Sequence, residues 1–120
     1  MTSKEANEIR PVVLTDENGK RYTLEFDADS VKYAQERGFI HSEIDTKPMV
    51  VIPQLFKYAF RKNHKNVSSF VIDTIWKELT EDGMPEGLIE RLTLLYIKPM
   101  ECLMPKEEED GKNSRVTVEL

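Results

Sequence analysis

The sequence has a single cysteine, Cys102, among its 120 residues, so an intrachain disulfide is excluded. That usage is typical of proteins in a reducing cytosol. No apolar run approaches the roughly 20 residues that a membrane-spanning helix needs. Residues 1–30 also lack the apolar core of a signal peptide. We therefore expect a cytoplasmic protein that has no membrane partner.

Signatures of catalysis and of metal binding are missing as well. The sequence contains no HExxH, no CxxC, no acidic calcium loop and no glycine-rich phosphate loop. Its two histidines, His41 and His64, are far apart in the chain. We therefore predict a protein that is not an enzyme, with no catalytic residues, no cofactor and no metal.

Charge is distributed unevenly along the chain. The net charge of −5 disfavours binding to nucleic acid or to an anionic membrane. Residues 46–77 nevertheless carry 6 basic and 1 acidic side chains, between two acidic flanks. Either the flanks fold back and neutralise the middle, or the basic and acidic faces meet between copies or with a partner.

Within the basic middle segment, the cations concentrate near one helix end. The candidate partner-binding residues are Lys57, Arg61, Lys62 and Lys65. They could form a solvated helix end that compensates the helix dipole, or they could contact an acidic protein surface. The alternative is a small nucleic-acid-binding regulatory protein that uses residues 57–65, where Tyr58 and Phe60 are interleaved with the cations.

Two short strands are predicted near the N-terminus. Tyr22, Leu24 and Phe26 alternate with polar residues, which indicates one buried face. A two-residue turn at Asn18 and Gly19 would place Val12 and Leu14 on the polar face. A three-residue loop with left-handed Gly19 would instead pair Leu14 with Tyr22 and Val12 with Leu24. Because the burial of these apolar side chains outweighs the preference for one turn over the other, we predict the three-residue loop.

Helical periodicity predicts about four helices after the hairpin, so the fold class is α+β. The first runs from about Ala28 to Arg37, with Asp27 as its N-cap and Gly38 beyond its end. Phe39 to Lys47 is a linker anchored by Ile40 and Ile44. The third helix is capped by Asn66 or Ser68 and carries Trp76 on its apolar stripe. The fourth runs from about Glu86 to Lys98, with Leu88, Leu92, Leu95 and Tyr96 on one side.

The second helix is the most apolar stretch of the chain. Its stripe consists of Ile52, Leu55, Phe56, Ala59 and Phe60, and it is expected to end near Asn63. Pro53 leaves two alternatives, because proline removes a helix hydrogen bond. Either the regular helix starts near Val51, or it is kinked at Pro53.

The domain boundaries follow from composition. Residues 1–9 are expected to be a flexible N-terminus, and residues 10–104 a single α+β domain. Residues 105–120 are a charged linker and tail. In residues 115–120, Val116, Val118 and Leu120 alternate with polar residues. This segment is either a disordered tail or a strand that pairs with the exposed hairpin edge, in the same copy or a neighbouring one.

Several of these segments together resemble a known family. They read LTDENGKRYTLEF (14–26), SVKYAQERGF (30–39), DTKPM (45–49), LFKYAFRKNH (55–64) and LIERL (88–92), the last followed by Tyr96. The pattern resembles the tail assembly chaperone-like proteins of long-tailed bacteriophages and prophages, over roughly Val12 to Leu103. The matching residues are those of core positions and helix ends, not of a catalytic signature.

The resemblance implies an adaptor that works during phage tail assembly. Its expected partners are the tape measure protein, which it would coat, and the tail tube protein, which it would help to recruit. Self-association is also expected, because a holdase for a long helical client acts in several copies. In many such phages a ribosomal frameshift makes a longer form, and the charged linker lies where the two forms would diverge.

Overall fold

The computed structural model describes residues 9–104 and 116–120. Its fold class is α+β, with an N-terminal two-stranded antiparallel hairpin followed by four α-helices in the described part. Residues 1–8 of the predicted flexible N-terminus and residues 105–115 of the predicted linker and tail lie outside it. The elements are β1 (Val12–Thr15), β2 (Arg21–Leu24), α1 (Ala28–Glu36), α2 (Pro48–Tyr58), α3 (Ser69–Glu81) and α4 (Leu88–Ile97), with 3-10 helices at His41–Glu43 and Lys98–Leu103.

The hairpin has the register of the three-residue loop. Val12 lies opposite Leu24, and Leu14 lies opposite Tyr22. Gly19 has a φ of 84°, and the N–H of Asp16 donates to the carbonyl of Lys20 at 2.8 Å. The prediction based on burial is therefore confirmed: Val12, Leu14, Tyr22 and Leu24 share the inner face.

Both predicted ends of α1 are confirmed. Asp27 Oδ1 accepts a hydrogen bond from the Ser30 N–H, and Ser30 Oγ accepts one from the Asp27 N–H, each at 2.8 Å. This reciprocal capping box satisfies two donors at the helix start. Beyond the helix, Gly38 has a φ of 87°, and the N–H of Phe39 returns to the carbonyl of Ala34.

Helix α2 ends earlier than predicted. It starts at Pro48 and contains Pro53, so of the two alternatives the regular start near Val51 is wrong. It ends at Tyr58 rather than near Asn63, because the carbonyl of Ala59 accepts the Glu25 N–H at 3.2 Å instead of continuing the helical ladder. A contact with the hairpin therefore replaces the last predicted turn.

The core forms where α2 meets the hairpin and α4. Of the predicted α2 stripe, Leu55, Phe56, Ala59 and Phe60 are buried. Ile52 is only half-buried, and Val51 has a buried position that the stripe did not include. The predicted face of α4 is fully confirmed, since its four apolar residues are all buried: Leu88, Leu92, Leu95 and Tyr96.

Two peripheral apolar predictions had different outcomes. Trp76 of α3 is half-buried, and its ring lies 4.9 Å from that of Phe56, so it closes the edge of the core. Ser68 caps α3 by accepting a hydrogen bond from the Val71 N–H. Ile40 is 50% exposed, so its role as an anchor is wrong; only Ile44 packs against the core.

The outer edge of β2 is closed by the segment that follows α2. The Thr23 N–H donates to His64 Nε2 at 2.9 Å, and Asn63 Nδ2 donates to the Thr23 carbonyl at 3.2 Å. A third strand could therefore join the hairpin only along β1. Residues 116–120 form no strand in this chain, so the predicted pairing within one copy is absent from the described residues.

None of the helices in residues 9–104 and 116–120 combines the length and the apolar character needed to cross a bilayer.

Candidate functional site: a basic groove

The basic residues surround a concave surface between the end of α2, the start of α3 and the hairpin. Two adjoining depressions of about 200 and about 520 Å³ share His64, Lys65 and Val67 in their walls. We call them together the basic groove. Its charged lining residues are Lys20, Lys57, Arg61 and Lys65, and none of its described lining residues is acidic.

The predicted cationic cluster divides into residues with different roles. Lys62 Nζ lies 3.3 Å from Glu25 Oε1, and Asn63 Nδ2 donates to Glu25 Oε2 at 2.8 Å. Lys62 is thus neutralised within the protein. By contrast, no carboxylate among the described residues lies within 4.0 Å of the amino groups of Lys57 and Lys65. These two lysines are the ones that remain available to a partner.

Arg61 is held by an aromatic ring. The Cζ atoms of Arg61 and Arg37 each lie 3.4 Å from the centroid of the Tyr33 ring. Two guanidinium groups that close to one centroid would overlap on the same face, so they occupy opposite faces. Each gains a cation–π interaction and loses rotamer freedom. The stack therefore fixes the position of the Arg61 charge at the groove.

His64 has a structural role at the junction of the two depressions. Because its Nε2 accepts a backbone hydrogen bond, the neutral ring carries its proton on Nδ1. Its ring also makes an edge contact with Tyr22 at 5.3 Å. His64 thus positions the groove against the hairpin.

Two lining residues of the groove, and one exposed residue next to a lining residue in the chain, are not evident in the sequence. Lys20 comes from the hairpin loop and Tyr33 from α1, and only the tertiary fold brings them to the cluster. Phe70 directly follows the lining residue Ser69 and is 79% exposed. An exposed aromatic residue at the start of α3 gave no periodic signal, since apolar residues there read equally well as core.

The remaining predicted site residues lie elsewhere. Val118 and Leu120 are exposed, at 70% and 119%, and Val116 at 71%. Within residues 9–104 and 116–120, no group of three or more His, Cys, Asp or Glu side chains is arranged to hold a metal ion.

A single family model covers nearly the whole chain. A family model described as a domain of unknown function (DUF5055) matches residues 3–120. The chain belongs to the DUF5055 family. Neither a curated protein nor a solved structure matches the chain. The hairpin, the basic groove and the C-terminal segment of this DUF5055 protein all lie inside the matched range.

Among the described residues of this DUF5055 protein, the core residue Tyr96 has a shifted pKa. Burial raises the pKa of the Tyr96 hydroxyl above its usual 10.0, and the hydrogen bond from Gln35 Nε2 at 3.1 Å partly opposes that rise. The Tyr96 ring packs edge-to-face on Phe26 and Phe39. Tyr96 is therefore a structural residue of the core, apart from the positively charged groove.

Proposed function

We propose that this DUF5055 protein is a tail assembly chaperone of a long-tailed bacteriophage. It would act in the host cytoplasm as a non-enzymatic adaptor, binding the tape measure protein and helping to recruit tail tube subunits. The proposal draws on the resemblance over Val12 to Leu103. The observation that carries it is the basic groove, a concave surface with no acidic side chain among its described lining residues, on a protein of net charge −5.

The groove favours an acidic, partly apolar helical segment as its ligand. Lys57 and Lys65 supply mobile ammonium groups, while the stacked Arg61 supplies a guanidinium in a fixed position. The side chains of Val67 and Val71 in the groove wall supply apolar contacts. An amphipathic client helix presents carboxylates and apolar side chains at matching helical spacings.

Co-expression tests the proposal directly. The chain would be produced with the large helical protein encoded by a neighbouring gene, and the soluble fraction run on size exclusion with light scattering. We expect co-elution with several copies per client. Lys57→Glu with Lys65→Glu should abolish co-elution, because both unpaired ammonium groups become carboxylates that repel an acidic client.

The matched control is Lys32→Glu with Lys77→Glu, which changes the net charge by the same amount on exposed helix positions away from the groove. Co-elution should survive in this control. A client that remains insoluble beside the wild-type chain would contradict the proposed function. Equal loss in both double variants would instead show that net charge, not the groove, governs binding.

A nucleic-acid-binding regulator is the second candidate. The basic groove favours it, because nucleic-acid phosphates bind the same cations and no described lining residue is acidic. Its aromatic residues argue against it. Phe60 is buried, and the half-buried Tyr58 ring packs against the rings of Tyr33 and Phe39. Both faces of Tyr33 are covered by guanidinium groups, so none of these rings presents an open face to a base. Fluorescence anisotropy with a labelled single-stranded oligonucleotide separates the candidates: salt-sensitive binding at low micromolar protein would favour the regulator.

A further inference from the structure

The β1 edge of the hairpin is open, unlike the β2 edge. Residues in an antiparallel pair alternate between exchanging backbone hydrogen bonds and facing outward. The N–H and the carbonyl of Thr23 point away from β1, toward His64 and Asn63. Its partner Val13 therefore directs its own backbone groups away from β2. The same alternation turns Thr15 outward. Within the described residues, no hydrogen bond reaches the outward backbone groups of Val13 and Thr15.

A depression of about 310 Å³ runs beside this edge, between β1 and α3. We call it the edge groove. Its apolar lining includes Leu14, Ile75 and Leu79, which are half-buried and pack against the core. The outward backbone groups of Val13 and Thr15 therefore lie next to the apolar lining of the edge groove, and a sheet edge of this kind accepts an added strand.

The C-terminal segment has the pattern that such an edge accepts. Residues 116–120 alternate apolar and polar, and the side chains of Val118 and Leu120 are exposed at 70% and 119%. The segment forms no strand within its own described chain. We propose that residues 116–120 of a second copy add to β1 as a third strand, placing Val118 in the edge groove. This inference does not rest on the proposed function, because self-association needs no client.

The register of the added strand follows from which residues of β1 direct their backbone N–H and C=O groups outward. Thr117 and Glu119 of the second copy exchange backbone hydrogen bonds with Thr15 and Val13, the two outward-facing residues. Val118 then lies opposite Leu14, and its side chain shares the inner face with that residue. An antiparallel direction places Glu119 opposite Val13. A parallel strand would instead bring Glu119 toward the acidic end of β1, where Asp16 and Glu17 line the edge groove.

Disulfide trapping between copies tests this register. In a Cys102→Ser background, one preparation carries Leu14→Cys and another carries Val118→Cys. Cα atoms of a non-hydrogen-bonded antiparallel pair lie about 4.5 Å apart, within disulfide range. Mixing the two preparations under mild oxidation should give a disulfide-linked dimer. Thr117→Cys in place of Val118→Cys should give several-fold less, since its side chain faces the opposite side.

Light scattering on the full chain provides an independent readout. The wild-type mass should rise from 14.0 kDa toward that of a dimer or a longer array as concentration increases. Val13→Pro removes one outward N–H without touching the β1–β2 ladder, so it should hold the mass at the monomer value. Val118→Lys should do the same, whereas Thr117→Lys should self-associate like the wild type.

Three results would overturn the proposal. One is a wild-type mass that stays at the monomer value up to millimolar concentration. Another is equal cross-linking by Val118→Cys and Thr117→Cys. The third is a Leu14→Cys and Val118→Cys double variant that closes its disulfide within one chain while the mixed single variants do not cross-link. That result would show that residues 116–120 occupy the edge groove of their own chain.

Discussion

The imidazole of His64 accepts a hydrogen bond from the backbone N–H of Thr23, with 2.9 Å between Nε2 and N. Beside it, the Asn63 amide donates to the Thr23 carbonyl. Two consecutive side chains after α2 therefore satisfy the donor and the acceptor that a neighbouring strand would otherwise use. This explains why β2 can lie at the edge of a two-stranded sheet without offering that edge to another chain.

Replacing His64 should destabilise the hairpin. In His64→Leu the Thr23 N–H loses its acceptor and remains partly buried, so the free energy of unfolding should fall by about 1–3 kcal/mol. Urea denaturation followed by circular dichroism measures it. The neighbouring exposed Lys65→Ala should change stability by less than about 0.5 kcal/mol. Equal stability of the two variants would contradict a structural role for the imidazole.

The capping box of α1 is a second stability determinant. Asp27→Ala leaves the Ser30 N–H without its side-chain acceptor, so the free energy of unfolding should fall by about 0.5–2 kcal/mol. Asp29→Asn removes only a first-turn charge and should cost less, about 0.3–1 kcal/mol. Thermal melts of both variants test the order. A larger loss in Asp29→Asn would mean that the dipole outweighs the cap.

Tyr96 should make stability fall at alkaline pH. Its pKa is raised in the folded state, so above pH 10 the unfolded chain loses this proton before the folded chain does. The unfolded state is then favoured, and the free energy of unfolding declines as pH rises beyond that value. Well below pH 10 both states keep the proton, so this pH-dependent loss of stability is absent. Denaturation series between about pH 8 and 11 should show a shallower decline for Tyr96→Phe than for the wild type; parallel curves would contradict the assignment.

The stack on Tyr33 predicts a measurable coupling. A double-mutant cycle with Tyr33→Leu and Arg61→Met should give a coupling energy of about 0.5–1 kcal/mol, the range for a cation–π pair at a partly exposed site. The same cycle with Lys57→Met should give a value close to zero, since the cations that stack on this ring are Arg37 and Arg61. Matching values from both cycles would indicate that the Tyr33 substitution acts through general loss of packing.

Local signals predicted most of the fold. The register of the hairpin followed from the alternation of Tyr22 and Leu24 together with Gly19, and the start of α1 followed from Asp27. The buried face of α4 followed from helical spacing alone. These features depend on residues close together in the chain, where sterics, capping and periodicity act in the same direction.

The features that were missed depend on distant residues. Helix α2 ends early because the Ala59 carbonyl bonds to Glu25, and no spacing rule within α2 encodes that partner. The same holds for the candidate site. The cluster of cations was visible in the sequence, but the pairing of Lys62 with Glu25 and the stacking of Arg61 on Tyr33 required the tertiary fold. The sequence could name the cations but could not separate the paired from the available ones.

The closure of β2 by the residues after α2 also sets an order of events during synthesis. Thr23 and His64 are 41 positions apart, and an isolated two-stranded hairpin is marginally stable in water. A chain leaves the ribosome from its N-terminus, so the hairpin emerges long before its partners. We expect the hairpin to remain only marginally stable until His64 has left the exit tunnel. The most N-terminal element of this protein therefore gains the partners of its β2 edge only when about half of the 120 residues have emerged.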